Sequence, residues 1–344
     1  MSSVTSPRLI ARVRARAILA AVTVAATVLA GCTTTSDDDV VRVYSGRHYD
    51  LEPAFEEFAR ETGISVEFLY GGDAELRERI LAEGEDTIAD VYITVDVGNL
   101  YLAAEQGIFQ PLDLPPVDAA VPDNLRHPDD LWVGLARRAR TIVYDPDAVD
   151  PAELSTYEDL ADPRWEGRLC LRRSTDTYTQ SLVASLIAAD GEAVASDVVD
   201  GWVANAEIYN NDVAILDNIA EGDCEVGIVN HYYLAREVAE DPDYPVELVW
   251  ANQDDRGVHV NLSGGGVTAN APNPEAGRQL IEWLATDGQS AFVDANFEYP
   301  ANPDVEPVEL LVQFGDFLAD PVNANELGSY NRAAVELLAE SGYQ

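Results

Sequence analysis

Residues 40–70 read VVRVYSGRHYDLEPAFEEFARETGISVEFLY, and this stretch decides the fold. Val40–Tyr44 is a β-branched run, which predicts a strand. Asp50 suits a helix cap, Pro53 suits the first turn, and Leu51, Phe55, Phe58 and Ala59 share one face. Gly63 ends that helix where a left-handed residue is wanted, and Ile64–Leu69 is the next strand. Working outward, Asp73–Glu83 predicts a helix, Asp90–Thr94 a strand, and Leu100–Gln106 a helix stopped by Gly107. Strand and helix alternating at this spacing predict βαβ units on a parallel sheet.

The pattern then changes. Residues 111–130 are rich in Pro and Asp and read as loop. Leu131–Leu135 and Thr141–Tyr144 predict strands with no helix between them. A second α/β set follows, with strands at Arg168–Leu171, Glu225–Asn230 and Val246–Trp250. Its helices are Thr177–Ala189, Glu192–Asn205, Val213–Glu221 and Tyr232–Ala239. Val258–Thr268 is β-rich despite Gly264, Gly265 and Gly266, and Pro274–Ala285, Gly288–Asn296 and Glu326–Glu340 predict closing helices. Two α/β sets joined by crossings near Leu131–Arg140 and Val258–Thr268 predict two lobes around a cleft. Each lobe is a mixed, mainly parallel sheet flanked by helices. Lobe 1 takes residues 40–135 and about 262–305; lobe 2 takes about 136–261 and 306–344. Ligands of such sheets sit beyond strand C-termini, so both lobes can present loops to one cleft, which a hinge would close.

The chain has 344 residues, 21 basic and 62 acidic, for a net charge of −41. Every basic residue is Arg. Hydrophobic content of 47% is ordinary, so the acidity does not signal disorder. Polyanions would be repelled, which excludes nucleic acid and anionic lipid as partners. Two causes of the charge stand: a high-salt habitat, or a preference for cations as ligands.

Residues 1–16 carry Arg8, Arg12, Arg14 and Arg16 and no acid, and an apolar run from Ala17 to Ala30 precedes Gly31-Cys32. That run is too short to span a bilayer and reads as a secretory signal over residues 1–31. Residues 32–39 form a polar tether. Removing 1–31 takes away four Arg and no acid, so −41 becomes −45. Cys170 and Cys224 remain. In an exported chain an even pair suggests a disulfide, closing a 54-residue loop for roughly 4 kcal/mol by chain entropy; two buried free thiols are the alternative.

Three clusters follow strand ends: residues 44–49 (Tyr-Ser-Gly-Arg-His-Tyr), 172–178 (Arg-Arg-Ser-Thr-Asp-Thr-Tyr) and 230–233 (Asn-His-Tyr-Tyr). A lone Tyr at a strand end is usually packing; three clusters in matching places are not. Tyr phenolate is a hard oxygen donor, and a trivalent cation lowers its pKa from near 10 enough to ionise it. Ferric iron, Fe(III), is the biological match. His48 is placed either to ligate or to hydrogen-bond beside the metal. Arg47 or Arg138 is a candidate to balance negative charge at such a site, or forms a surface or lobe–lobe salt bridge.

These motifs carry a resemblance. Val28-Leu29-Ala30-Gly31-Cys32 resembles a bacterial lipobox, which implies cleavage before Cys32 and lipid on its sulfur. The three clusters, with residues 89–96, 132–140, 157–168, 222–236, 252–264 and 297–300, resemble the ferric-iron-binding proteins of bacterial ABC importers over about residues 40–340. The likeness is greatest to the tyrosine-rich branch that needs no anion. The paired tyrosines followed by Leu-Ala-Arg are the most specific part. The resemblance implies a two-lobed type II periplasmic binding protein fold with Fe(III) in the cleft. It assigns Tyr49, Tyr178, Tyr232 and Tyr233 as ligands, with His48 at a position that ligates in some members. Arg47 and Arg172 are candidates for an anion pocket. His231 stands where the family has a small residue, which puts the coordination details in question. The implied protein is a monomeric lipoprotein, on the outer face of the cell membrane or periplasmic, held there only by its lipid. It would serve an ABC permease and its ATPase and would not be an enzyme. No Gly-x-Ser-x-Gly, phosphate-cradling Gly loop or His-Glu metal motif is present. The alternative function is the same fold binding thiamine, a polyamine or an oxyanion.

Overall fold

The computed structural model describes residues 39–47 and 52–344. The expected signal, Cys32, most of the tether, and His48, Tyr49, Asp50 and Leu51 lie outside the described residues.

The strands are β1 (Val40–Ser45), β2 (Ser65–Tyr70), β3 (Val91–Thr94), β4 (Val133–Tyr144), β5 (Leu169–Arg172), β6 (Ala206–Tyr209), β7 (Val226–Asn230), β8 (Glu247–Val249), β9 (Val260–Val267) and β10 (Tyr299–Pro300). The helices through the middle of the chain are α1 (Glu52–Thr62), α2 (Asp73–Glu83), α3 (Val97–Glu105), α4 (Pro115–Ala120), α5 (Thr177–Asp190), α6 (Glu192–Asn205), α7 (Asp212–Glu221) and α8 (His231–Glu240). They are followed by α9 (Pro274–Ala285), α10 (Gln289–Val293), α11 (Glu309–Gln313), α12 (Ala324–Ser329) and α13 (Asn331–Glu340).

The sheet runs β2-β1-β3-β9-β4-β7-β5-β6, with β8 and β10 also on β4. As expected, β1 is parallel to β2 and β3, and β5 is parallel to β6 and β7. The two parallel groups meet on β4. Its first half pairs antiparallel with β9, from Val133 to Ala139, and its second half with β7, from Arg140 to Tyr144. The expected pair of short strands is therefore one strand with an irregularity between Gly134 and Ala136. The strand β9 needs its glycines. A Cβ on Gly266 would come within 2.4 Å of the Leu131 carbonyl, so the run marks close backbone approach inside a central strand.

Other expectations shift. The helix expected at Leu100 starts at Val97, because the Asp96 carboxylate accepts from Asn99 N and caps it. The expected loop at 111–130 holds α4, opened by Pro115 and Pro116. The expected Glu326–Glu340 helix is two helices meeting at Tyr330. One apolar cluster joins β1, β3, α1 and α9 through Val43, Phe55, Phe58 and Leu280. Another runs through Trp132, Tyr157, Trp165 and Trp202. A third surrounds Cys170 and Cys224, which the structure joins as a disulfide with Cα atoms 6.1 Å apart. No helix among the described residues is long and apolar enough to cross a membrane.

Candidate metal site

Tyr178 is the second residue of α5, which follows β5 after a short turn. Asp176 caps that helix by accepting from Tyr178 N at 3.0 Å. Tyr232 and Tyr233 open α8, directly after β7. Because β5 and β7 are parallel neighbours, their C-terminal ends bring the three tyrosines together. The Tyr178 and Tyr232 hydroxyls are 3.5 Å apart, and the Tyr232 and Tyr233 ring centroids 4.3 Å. With Gly46, Arg47, Val95, Arg138, Arg172, Arg236, Asn296 and Glu298 they line a cavity of about 130 Å³. Larger concavities of about 760 and 380 Å³ lie beside Arg256 and Arg137. Neither gathers several tyrosines, so donor chemistry and not volume selects the site.

Burial is the main reason the Tyr178 phenol is pushed up to about 12, with Arg138 pulling the other way. Tyr232 is 6% exposed, and burial, aided by its tyrosine neighbours, raises its pKa well above the ordinary phenol value. Both phenols are thus held protonated at neutral pH. Three arginines surround these rings. Arg138 donates to the Tyr178 hydroxyl at 3.4 Å, and the Arg172 guanidinium lies 5.1 Å from the Tyr178 ring centre. Arg236 stacks over Tyr232 and Tyr233 at 5.1 and 5.8 Å.

Across the cavity the charges are already paired. Arg47 meets Glu298 at 2.5 Å, and Arg138 lies 3.8 Å from the other oxygen of the same carboxylate. Arg47 and Arg138 are each 2% exposed. Arg47 also donates to the Phe292 carbonyl at 2.6 Å and sits 3.9 Å over its ring. Arg138 reaches the Val95 and Leu262 carbonyls. Burial would lower the Arg138 pKa, but Tyr178, Glu298, Tyr232 and Asp96 outweigh it and raise it. For Arg47 burial wins over Glu298 and the pKa falls.

Glu298 is aimed by backbone strain. Phe297 before it adopts φ +54°, unfavourable for a bulky residue. Its carbonyl is held by His231 Nε2 at 2.9 Å, while His231 Nδ1 accepts from Ala139 N at 3.2 Å. Burial lowers the His231 pKa to about 3, so the ring is neutral. The ring is fully buried and ties α8 to β4 and to the 297–298 turn, outside the cavity lining. Gly46 brings the β1 loop to the cavity, and a Cβ there would overlap Asp73 Oδ1 at 1.6 Å.

Tyr178, Tyr232, Tyr233, Arg47, Arg138 and Arg172 from the expected set share this cavity. Tyr49, His48 and Cys32 lie outside the described residues. Sequence reasoning missed Glu298, Arg236 and Asn296; the one signal for Glu298 is an acid flanked by Phe297, Tyr299 and Pro300. The C-terminus was missed as well. The Tyr343 hydroxyl donates to the Arg172 carbonyl at 2.8 Å and Ser174 N to the Gln344 carbonyl at 3.2 Å, bracing the turn before Tyr178.

A cleft site on strand ends, in a mixed sheet joined through two crossing strands, is the architecture of solute-binding proteins. A profile of the family described as bacterial extracellular solute-binding protein matches residues 47–291, and the chain belongs to that family. Iron uptake protein A1 of Synechocystis sp. is 39% identical over 321 residues, which cover 90% of this chain and 89% of that protein. The Trichodesmium FutA (IdiA) structure, in complex with iron and citrate, matches with a TM-score of 0.84 at 39% identity. That match covers 89% of this chain and 100% of that one. The ferric binding protein from Campylobacter jejuni matches with a TM-score of 0.82 at 28% identity, over 88% of this chain and 100% of its own. The fold is the type II periplasmic binding protein fold expected from the sequence.

Proposed function

We propose that this chain is a non-enzymatic receptor that captures ferric iron between its lobes and delivers it to an ABC permease and its ATPase. The observation that carries the reading is the convergence of Tyr178, Tyr232 and Tyr233 on one small cavity beside Arg138, Arg172 and Arg236. Three converging phenols are a poor site for a neutral solute and a good one for a hard trivalent cation. The iron relatives point the same way. Tyr49 is the fourth ligand in this reading and His48 a fifth or a hydrogen-bonding neighbour; Arg47, Arg138 and Arg172 balance the phenolates. The lobes divide as the sequence suggests, at 40–135 with 262–305 and 136–261 with 306–344, so that binding is linked to closure. Export by residues 1–31, lipidation at Cys32 and a monomeric state complete the reading.

A polyamine fits less well. It would need free carboxylates on the cavity wall, and Glu298, the carboxylate of the described lining, is engaged by Arg47 and Arg138. The test is to add ferric citrate to the purified apo-protein. A visible phenolate-to-iron charge-transfer band is expected; its absence at saturating iron rejects the reading.

A further inference from the structure

Behind the tyrosines lies a carboxylate that faces no ligand. Asn211 caps α7 by accepting from Ala214 N, which leaves Asp212 as the first helical residue with its side chain turned inward. Asp212 is 0% exposed. Its Oδ1 accepts from Arg140 Nη1 at 2.6 Å and from Asn230 N at 3.2 Å, and its Oδ2 accepts from Arg172 Nη1. One carboxylate therefore gathers donors from β4, β5 and β7. The far end of α7 is fixed too, since Cys224 follows it and is bonded to Cys170 of β5.

Each donor leads on to a tyrosine. Arg172 extends a second arm to Asp176 at 2.6 Å, and Asp176 accepts from Tyr178 N at 3.0 Å. The face of the Arg172 guanidinium lies against the Tyr178 ring. Asn230 contacts the Tyr232 hydroxyl through Nδ2 at 3.5 Å, and Arg140 Nη1 lies 3.4 Å from Asn230 Oδ1. The two strand ends that supply the phenols thus share one buried anchor.

Resting on the iron reading above, we propose that Asp212 is the positioning residue of the site: it locks Arg172 and Asn230 so that Tyr178 and Tyr232 present their oxygens to one cation. A buried carboxylate between two arginines contributes to the fold as well, because its loss strands two cations. A purely structural role would leave the spectrum of bound iron unchanged. A positioning role would not, since groups that orient metal ligands are typically worth about 10–100-fold in metal affinity.

The experiment compares wild type, Asp212→Asn and the double variant Arg140→Gln/Asp212→Asn, each the full chain loaded with ferric citrate. It reads the charge-transfer maximum, iron retention against added citrate, and thermal unfolding. Asp212→Asn is expected to shift the maximum and weaken retention about 10–100-fold. The double variant removes one stranded cation, so it regains stability but keeps the shifted band, and it carries the same readout if the single variant fails to fold. An unshifted band with wild-type retention overturns the proposal. So does a double variant in which spectrum and stability recover together. A wild-type protein with no band at all sinks the iron reading, and this proposal with it.

Discussion

The two walls of the cavity handle charge in opposite ways. On the wall built by Arg47, Arg138 and Glu298, the ionic groups are formally charged and already matched in a buried bridge. On the wall built by Tyr178, Tyr232 and Tyr233, the cavity-facing groups include phenols that burial holds protonated, and the ion pairs of Asp212 stand one layer back. The first wall is finished without a ligand. In the proposed reading the second develops negative charge only when iron arrives, which is what a site needs if it is to stay stable empty and bind tightly when filled.

The largest expected effect breaks the tyrosine wall alone. In Tyr232→Phe/Tyr233→Phe each lost phenolate is expected to cost at least the ~100-fold at the upper end of what an outer partner is worth, so iron affinity should drop by about 10⁴-fold, and the visible band, left to Tyr49 and Tyr178, should weaken and shift. Thermal stability should fall only slightly, by about 1 kcal/mol, since the Tyr232 hydroxyl gives up two long hydrogen bonds. A double variant with wild-type affinity and an unshifted band would show that Tyr232 and Tyr233 do not bind the iron.

The opposite wall should fail differently. Glu298→Gln leaves Arg47 and Arg138 without their shared buried carboxylate, which is expected to cost about 3–5 kcal/mol of folding stability. Urea unfolding of the apo-protein measures it. A loss below about 1 kcal/mol would mean that the bridge is dispensable and that the contrast between the walls is overdrawn.

Proton competition belongs to the tyrosine wall as well. Tyr178 is pushed up to about 12 and Tyr232 well above the ordinary value, so each must release a proton to bind iron. Each phenol ionised on binding weakens apparent affinity about tenfold per pH unit of acidification. Titration against citrate at pH 7 and pH 5 should show a fall of about 10⁴-fold for the two phenols over the two units, once citrate's own protonation is subtracted. Equal affinities at the two values would mean that the phenols do not ionise.

The contrast also explains how much was legible beforehand. The first βαβ unit reads directly because β1 and β2 are rich in apolar and β-branched residues, while Pro53 and Gly63 punctuate the helix between them. The tyrosines are legible because aromatic hydroxyls recur at the ends of three separate strands, β1, β5 and β7. Glu298 and Asp212 are not, because in a chain with 62 acids a single functional carboxylate has no contrast. The unity of β4 was hidden for a related reason. Arg137, Arg138 and Arg140 look like a break between strands, yet two of them are buried by partners far away in sequence, Glu298 and Asp212. The strand β6 was missed because Ala206–Tyr209 holds one β-branched residue and follows α6 without a turn signal.

The smallest effect tests whether proton sensitivity is confined to the tyrosine wall. His259, at the start of the β9 crossing, is 2% exposed, with Nε2 3.0 Å from Ser181 Oγ. Burial first, then Arg140, Arg256 and Arg138, lowers its pKa to about 3. In the unfolded chain it returns to about 6.5. Below about pH 6.5 the unfolded state therefore binds a proton that the folded state refuses, and stability falls as pH drops toward 3. The slope is about 1.4 kcal/mol per pH unit for this one group. Other groups titrate in the same range, so the contribution is isolated by difference: urea unfolding of wild type and His259→Gln at pH 7, 6 and 5. The wild type should lose stability relative to the variant by about 1.4 kcal/mol for each unit below about 6.5. Parallel pH curves would mean that His259 is charged in the fold, and that the crossing tolerates a buried cation beside three arginines.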